Sequence, residues 1–370
     1  MTRILFASAL MVVALGSNVR AQAPDKIQGK TSAEWVEILK THKELKFRRV
    51  ALIVLEVYGP RTDGVLPAVT DALERDAEPQ IRREAAMLLG RMGPDAKGSI
   101  FALGDALRKD SAEPVREAAA QALGSRGLNP FAVEQVMTLA EALNDPHAGT
   151  RTAAAEAILK LGDKAAPALP ALTALAKDAK KDRFSRQYAL KCLGRLGADQ
   201  RDTAIVLIGV LRDKDAPLQL REEAAEGLGR STVAAEFVVQ PLGETLADPA
   251  VELRRAVAAA LAKQGKDAGA AWPKIAAALK NSDDQAVRYQ LIRVTGQLAK
   301  SMPPAEHALI QHASKDPHIE NRLAAIQELG ELGANMSDAI QAALADIAEN
   351  DTTTAIRTAA DSALKKLQGM

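Results

Sequence analysis

The sequence predicts an all-α fold: an α-solenoid, or superhelix, of about ten helical hairpins stacked side by side. Three observations predict it. Ten arginines, Arg48, Arg82, Arg116, Arg151, Arg186, Arg221, Arg254, Arg288, Arg322 and Arg357, recur every 33–35 residues, and a period in that range marks an array of one supersecondary unit. Each arginine also sits in the same apolar frame. An aliphatic residue often precedes it, a small or apolar residue follows at +3 and a large aliphatic at +7, with Thr295 the exception at +7. Offsets of −1, +3 and +7 share one face of an α-helix. Finally, no window alternates with period two for long enough to suggest a sheet, and the composition, 3% aromatic and 26% charged, suits many short packed helices.

Residues 1–21 read as a secretory signal peptide, with Arg3, an apolar stretch from Ile4 to Leu15 and a cleavage site after Ala21 in Val19-Arg20-Ala21. The stretch is shorter than the ~20 residues that span a bilayer, and no cysteine lies near the site to carry a lipid anchor. The mature chain is therefore expected in the periplasm or the medium, without a membrane span. Residues 22–30 form a short linker, and the solenoid occupies 31–370. Thr31 and Glu34 fit a capping box. Trp35, Ile38 and Leu39 then share the face of a helix that covers the start of the stack.

Within each unit, the arginine-bearing helix is expected to stop at a glycine eleven residues on: Gly59, Gly93, Gly127, Gly162, Gly197, Gly265 or Gly333. A second apolar run, such as Val65–Leu73, Ile100–Leu107, Leu169–Leu175, Ile205–Leu211 or Ile275–Leu279, supplies the other helix, with Pro67, Pro170 and Pro273 near its start. Six residues before the arginine stands an aspartate, at Asp76, Asp110, Asp145, Asp215, Asp248, Asp316 and Asp351. It can cap the second helix, and with Arg82, Arg116, Arg151, Arg221, Arg254, Arg322 and Arg357 it can form a ladder along the stack, because a guanidinium serves two acceptors. The aspartate is displaced at Asp182, Ser282 holds its place near Arg288, and the glycine stop is missing near Thr232. Cys192, beside Leu193, reads as a buried, inert thiol. The segment Ala355–Leu367 reads as a lone helix shielding the last unit.

The segments Asp110-Ser-Ala-Glu-Pro-Val115-Arg116-Glu-Ala-Ala-Ala-Gln-Ala-Leu123-Gly124 and Asp76 to Gly93 resemble HEAT repeats, in particular the PBS-lyase HEAT-like variety. Asp215 to Gly229 and Asp316 to Gly330 repeat the scheme with changes. The resemblance covers the chain from about residue 31 onward. It implies a concave side lined by the arginine-bearing helices, and a bacterial setting. It is not specific for an activity.

Helices pack about 8–10 Å apart, so ten units give a contour on the order of 90 Å. A compact globule of this length has a radius of gyration of roughly 20 Å. The full chain carries a net charge of +1; removing Arg3 and Arg20 with the leader leaves 46 basic against 47 acidic side chains. That balance argues against a general nucleic-acid binder, whose affinity comes from neutralising phosphates. No HExxH, P-loop, GxGxxG or GxSxG element is present, and none of His42, His147, His307, His312 and His318 is followed by glutamate. That absence sets the chain apart from the HEAT-like deoxyhypusine hydroxylases, which hold iron through His-Glu pairs. No catalytic residue, cofactor or metal is expected.

What remains is a binding surface, since solenoids bind proteins or peptides on an extended concave face. Offsets +1, +2 and +5 from the arginines point away from the buried stripe. They place Arg83, Glu84 and Met87; Gln187, Tyr188 and Lys191; Glu222, Glu223 and Glu226; and Tyr289, Gln290 and Arg293 on that face. Exposed tyrosine and arginine favour binding hot spots, so Arg83, Met87, Tyr188, Lys191, Glu222, Glu226, Tyr289 and Arg293 are the candidate protein-binding residues. The expected function is an exported, non-enzymatic, monomeric scaffold for an unidentified protein or peptide. The alternatives are an accessory subunit or cryptic enzyme of the PBS-lyase-like group, and a structural envelope component.

Overall fold

The computed structural model describes residues 24–333 and 337–367; the leader at 1–21 lies outside the described residues. Ten helical hairpins follow one another: α1 (Ser32–Thr41) with α2 (Leu45–Tyr58), α3 (Val65–Arg75) with α4 (Pro79–Met92), α5 (Ile100–Lys109) with α6 (Glu113–Leu123), α7 (Val136–Ala142) with α8 (Ala148–Leu161), and α9 (Leu169–Lys177) with α10 (Arg183–Leu196). The second half comprises α11 (Arg201–Arg212) with α12 (Leu218–Gly229), α13 (Ala235–Thr245) with α14 (Val251–Gln264), α15 (Trp272–Asn281) with α16 (Gln285–Ala299), α17 (Pro303–Lys315) with α18 (Ile319–Gly330), and α19 (Asp338–Asn350) with α20 (Thr354–Leu367). The C-terminal helix is thus not alone: α19 is its hairpin partner.

Each hairpin packs on its neighbours in two rows, arginine-bearing helices in one and their partners in the other. The +7 aliphatics Leu55, Leu89, Leu123, Ile158, Leu193, Leu228, Leu261 and Leu329 are fully buried between the rows. Truncating any one to alanine costs about 2–5 kcal/mol. Thr295 keeps its hydroxyl in this frame by donating to Leu291 O at 2.7 Å.

Small residues set the spacing of the arginine row. A glycine eight residues after one arginine faces a glycine or alanine six residues after the next: Gly90 meets Ala122, Gly124 meets Ala157, Gly194 meets Gly227 and Gly229 meets Ala260. A Cβ on Gly194 would lie 2.5 Å from Gly227 Cα. These close contacts let the arginine-bearing helices lie against one another; that row is termed the inner one and the row of their partners the outer one.

The ends of the helices follow local chemistry. Thr31 and Glu34 form the reciprocal capping box on α1. The linker residues Ile27–Lys30 close a two-residue turn with Gln28 and Gly29 at positive φ. They are pinned to the first hairpin, where Trp35 Nε1 donates to Ile27 O at 3.0 Å and Tyr58 Oη to Lys30 O at 2.8 Å. Gly59, Gly93, Gly162 and Gly265 end their helices at positive φ and Gly197 ends α10 at φ −117°, whereas α6 already stops at Gly124 rather than Gly127 and α18 at Glu331, two residues before Gly333. Where α12 lacks a glycine stop, other groups serve: Thr232 N donates to Ala198 O, and the Gln264 amide donates to the carbonyls of Leu228, Gly229 and Ser231.

Candidate binding face on the arginine helices

The ladder arginines enter the first turn of their helices, and most of them serve two hairpins. Nη1 donates to the loop carbonyls preceding its own helix: Arg82 to Asp76 O at 2.9 Å, Arg116 to Asp110 O at 3.0 Å, Arg254 to Asp248 O at 2.8 Å and Arg357 to Asp351 O at 2.7 Å. Nε and Nη2 reach the aspartate of the following hairpin. Arg48 grips Asp76 at 2.8 and 3.0 Å, Arg82 grips Asp110 at 2.6 and 2.8 Å, Arg116 grips Asp145 at 2.7 and 3.0 Å, and Arg288 grips Asp316 at 2.9 and 3.3 Å. Arg151 reaches Asp182, Arg221 reaches Asp248 and Arg322 reaches Asp351 through Nη2.

The carboxylate is also used twice. Oδ1 of Asp76, Asp110, Asp145, Asp248, Asp316 and Asp351 accepts from the backbone N–H two residues on, an Asx turn. Asp76, Asp110, Asp316 and Asp351 end the outer helix rather than N-capping the inner one, which amends the capping expectation. Burial alone would raise the Asp110, Asp145 and Asp316 carboxyls. The partner arginine and the turn N–H outweigh it and hold all three below the usual carboxylate range. Deleting one member of such a buried pair leaves a charge uncompensated, at about 3–5 kcal/mol.

The ladder departs from its expected membership at Asp215, Arg254 and Arg357. Among the described residues, Asp215 receives no arginine and is exposed. In the loops before α10 and α12 the aspartates that end the outer helices are Asp178 and Asp213, eight residues before Arg186 and Arg221 rather than six. Arg186 accordingly donates through Nε to Ala176 O at 3.2 Å, ten residues back. Ser282 holds the place of the next hairpin's aspartate, Arg254 donates to its own loop carbonyls Asp248 O and Pro249 O, and the neighbouring Arg255 takes Asp284 instead, at 2.6 Å. This contact outweighs the opposing effect of burial and, with the Val287 N–H, lowers the Asp284 pKa to about 2. Arg357 ends the row and donates to Thr354 Oγ1.

The candidate binding residues lie along the inner helices, but the structure distributes them among separate grooves. Arg83 lines one with Gln80, Pro114, Glu117 and Gln121; Tyr188 lines the next with Glu117, Gln121, Thr152, Glu156 and Phe184. Glu222 and Glu226 line a third, of 390 Å³, with Gln187, Gln219, Glu223, Ala256, Ala259, Ala260 and Lys263. Lys191, Tyr289 and Arg293 line none of these three, and Arg293 is paired with Glu328 at 2.8 Å. Met87, Tyr188 and Tyr289 were expected to be exposed; they are half-buried and pack against the core. The close approach of the inner helices thus draws side chains at offsets +1, +2 and +5 partly into the seam between hairpins.

That geometry also buries a residue that the helical period placed on the free face. Glu223, at +2 on α12, is 8% exposed. Its Oε1 has no hydrogen-bond partner among the described residues, and Oε2 meets only the Gln187 amide, at 3.5 Å. The equivalent carboxylate on α4, Glu84, receives Arg49 at 2.7 Å from the equivalent +1 position of α2. Burial, and secondarily the neighbouring Glu226, pushes the Glu223 carboxyl up; burial and then Glu252 do the same to Glu222. Glu226 is engaged by Arg230 and lies 3.8 Å from Lys263. Cys192 donates to Ala155 O in the core, and burial pushes its thiol up to about 12. Of the histidines near α17, His312 contacts Asp316 at 3.1 Å and His307 contacts Gln311. Among the described residues, no group of three or more His, Cys, Asp or Glu side chains is placed to hold a metal.

The model of the HEAT-repeat family matches residues 32–124, 100–185 and 272–365, leaving 186–271 unmatched. No curated protein matches the chain. Among solved structures, an engineered protein is similar at 17% identity and a TM-score of 0.56, covering 91% of this chain and 98% of that one. Kap121p, solved bound to Pho4p, is similar at 14% identity and a TM-score of 0.58, covering 91% of this chain; the match spans 41% of Kap121p. YibA of E. coli is 19% identical with a TM-score of 0.50, covering 72% of this chain and 92% of YibA. At these identities the likeness concerns the fold alone. The repeated hairpins and the family match over more than half the chain agree, and the chain belongs to the HEAT-repeat family.

Proposed function

We propose that this chain is an exported, non-enzymatic scaffold that binds a protein or peptide segment on the inner face of its solenoid, and that its repeats are of the PBS-lyase HEAT-like variety. The observation that carries the reading is the series of open grooves along the inner helices from α4 to α14, with mixed polar and alanine-rich walls. An extended ligand can cross several such grooves at once, each contributing a modest contact. Kap121p, a structure of similar fold, is solved with a protein partner, Pho4p. The one thiol is a poor nucleophile, being buried and held protonated. Export rests on the leader-like residues 1–21.

The test uses the chain from residue 22 as immobilised bait against an extract of its source cells, beside the double variant Tyr188→Ala, Tyr289→Ala. A partner retained by the parent and released by the folded variant supports the reading; equal retention removes both tyrosines from it. Fractionation of cells expressing the tagged chain with and without residues 1–21 tests export, which fails if both forms remain in the cytoplasm.

A further inference from the structure

We infer that the groove on α10, α12 and α14 receives a basic side chain, a lysine or arginine of an extended peptide segment, with Glu223 as its counter-ion. The inference deepens the reading above by naming the ligand chemistry of one groove. It rests on a comparison between two repeats of the same molecule. Among the ten +2 positions of the arginine helices, glutamate occurs only at Glu84 and Glu223. In the first case the preceding helix supplies Arg49, which holds Glu84 at 2.7 Å. In the second the preceding helix supplies the neutral Gln187, and Glu223 Oε1 is left without a partner while more than nine-tenths of the residue is buried. A buried polar group without a partner costs about 1–3 kcal/mol, and more when charged. The missing group is a cation, and the groove is open to receive one from outside.

The surroundings suit a basic side chain. Ala256, Ala259 and Ala260 form an apolar wall along which an alkyl stem can lie, as the stems of lysine and arginine do on apolar surface. Glu222 adds a second carboxylate with no side-chain partner among the described residues. The nearby cations do not neutralise the pair: Arg230 is bonded to Glu226, and Lys263 also lies nearest to Glu226. Lys191 and Arg230 act on Glu223 only over a distance. The groove also falls within residues 186–271, the segment that departs from the family pattern.

The experiment measures binding of three fluorescein-labelled heptapeptides, alternating alanine with lysine, arginine or glutamate, to the chain from residue 22 by fluorescence anisotropy. The lysine or the arginine peptide is expected to bind and the glutamate peptide not to; which basic peptide binds tells ammonium from guanidinium. Glu223→Gln should weaken that binding at least about tenfold. Gln187→Arg, which imitates Arg49, should weaken it to a similar degree by supplying the counter-ion internally. Both variants should keep the parent circular dichroism and melt no lower than the parent, which a merely structural role for Glu223 would not allow. Binding unchanged in both variants, equal binding of the glutamate peptide, or no binding of either basic peptide at millimolar concentration overturns the inference. If a captured partner is lost with the tyrosine double variant but kept with Glu223→Gln, the scaffold reading stands and this inference fails.

Discussion

The contact between Arg82 and Asp110 and the place of Arg186 are the same position in different repeats, yet they are built differently. At Arg82 a six-residue separation lets one guanidinium tie its own loop to the next hairpin's carboxylate. At Arg186 the guanidinium donates instead to Ala176 O of its own hairpin, and Asp215 is left at the surface. The hairpins from α1 to α8 therefore share charged rungs, while the α10–α12 junction relies on the Gly194–Gly227 approach and on the contacts of Ser231 and Thr232 with Ala198 O. The difference shows that in a stack whose units touch only their neighbours, one type of contact can be dropped locally if another replaces it. The dropped rung lies beside the groove with the uncompensated carboxylate.

This comparison can be broken by mutation. Asp110→Ala should cost about 3–5 kcal/mol in urea unfolding by leaving Arg82 buried and unpaired, whereas Asp215→Ala should stay within about 0.5 kcal/mol. Equal effects would show that the ladder does not distinguish the regions. Gly194→Leu should destabilise by about 1–3 kcal/mol or more, because no room exists against Gly227; a neutral result would mean that the α10–α12 contact is loose. Glu223→Gln should stabilise the chain by about 1 kcal/mol at pH 7. The sign follows from a folded-state pKa above the ordinary one: the charged form is disfavoured in the fold, so the parent loses stability as pH rises above about 4 and the gain from glutamine vanishes below it. The ladder aspartates shift the other way. Their contribution is present above pH about 4 and is lost as pH falls through their lowered folded-state values. Ser282→Asp, which offers Arg254 a carboxylate, should add up to about 1 kcal/mol.

Much of the fold was legible because it is written ten times over. The apolar offsets, the glycine stops and the capping box of Thr31 and Glu34 each follow from helix geometry within a single hairpin. The ladder was legible as a spacing, but its direction was not: the pairing of Arg82 with Asp110 rather than Asp76 depends on how far one hairpin is displaced from the next. The same displacement hides Glu223. By helical period it belongs with the polar side chains, and only the close approach of α10 and α14 to α12 buries it. The α19 partner of the C-terminal helix was missed because Ile340, Leu344 and Ile347 make a short stripe without a proline or arginine mark.

Solution scattering should give a radius of gyration well above the roughly 20 Å of a globule of this length. The most direct test of the account is a pair of double-mutant cycles, one on Arg82 and Asp110 and one on Arg186 and Asp215, read by urea unfolding. A coupling of about 2–3 kcal/mol is expected for the first pair and one within about 0.5 kcal/mol of zero for the second. Equal couplings, or none between Arg82 and Asp110, would contradict it.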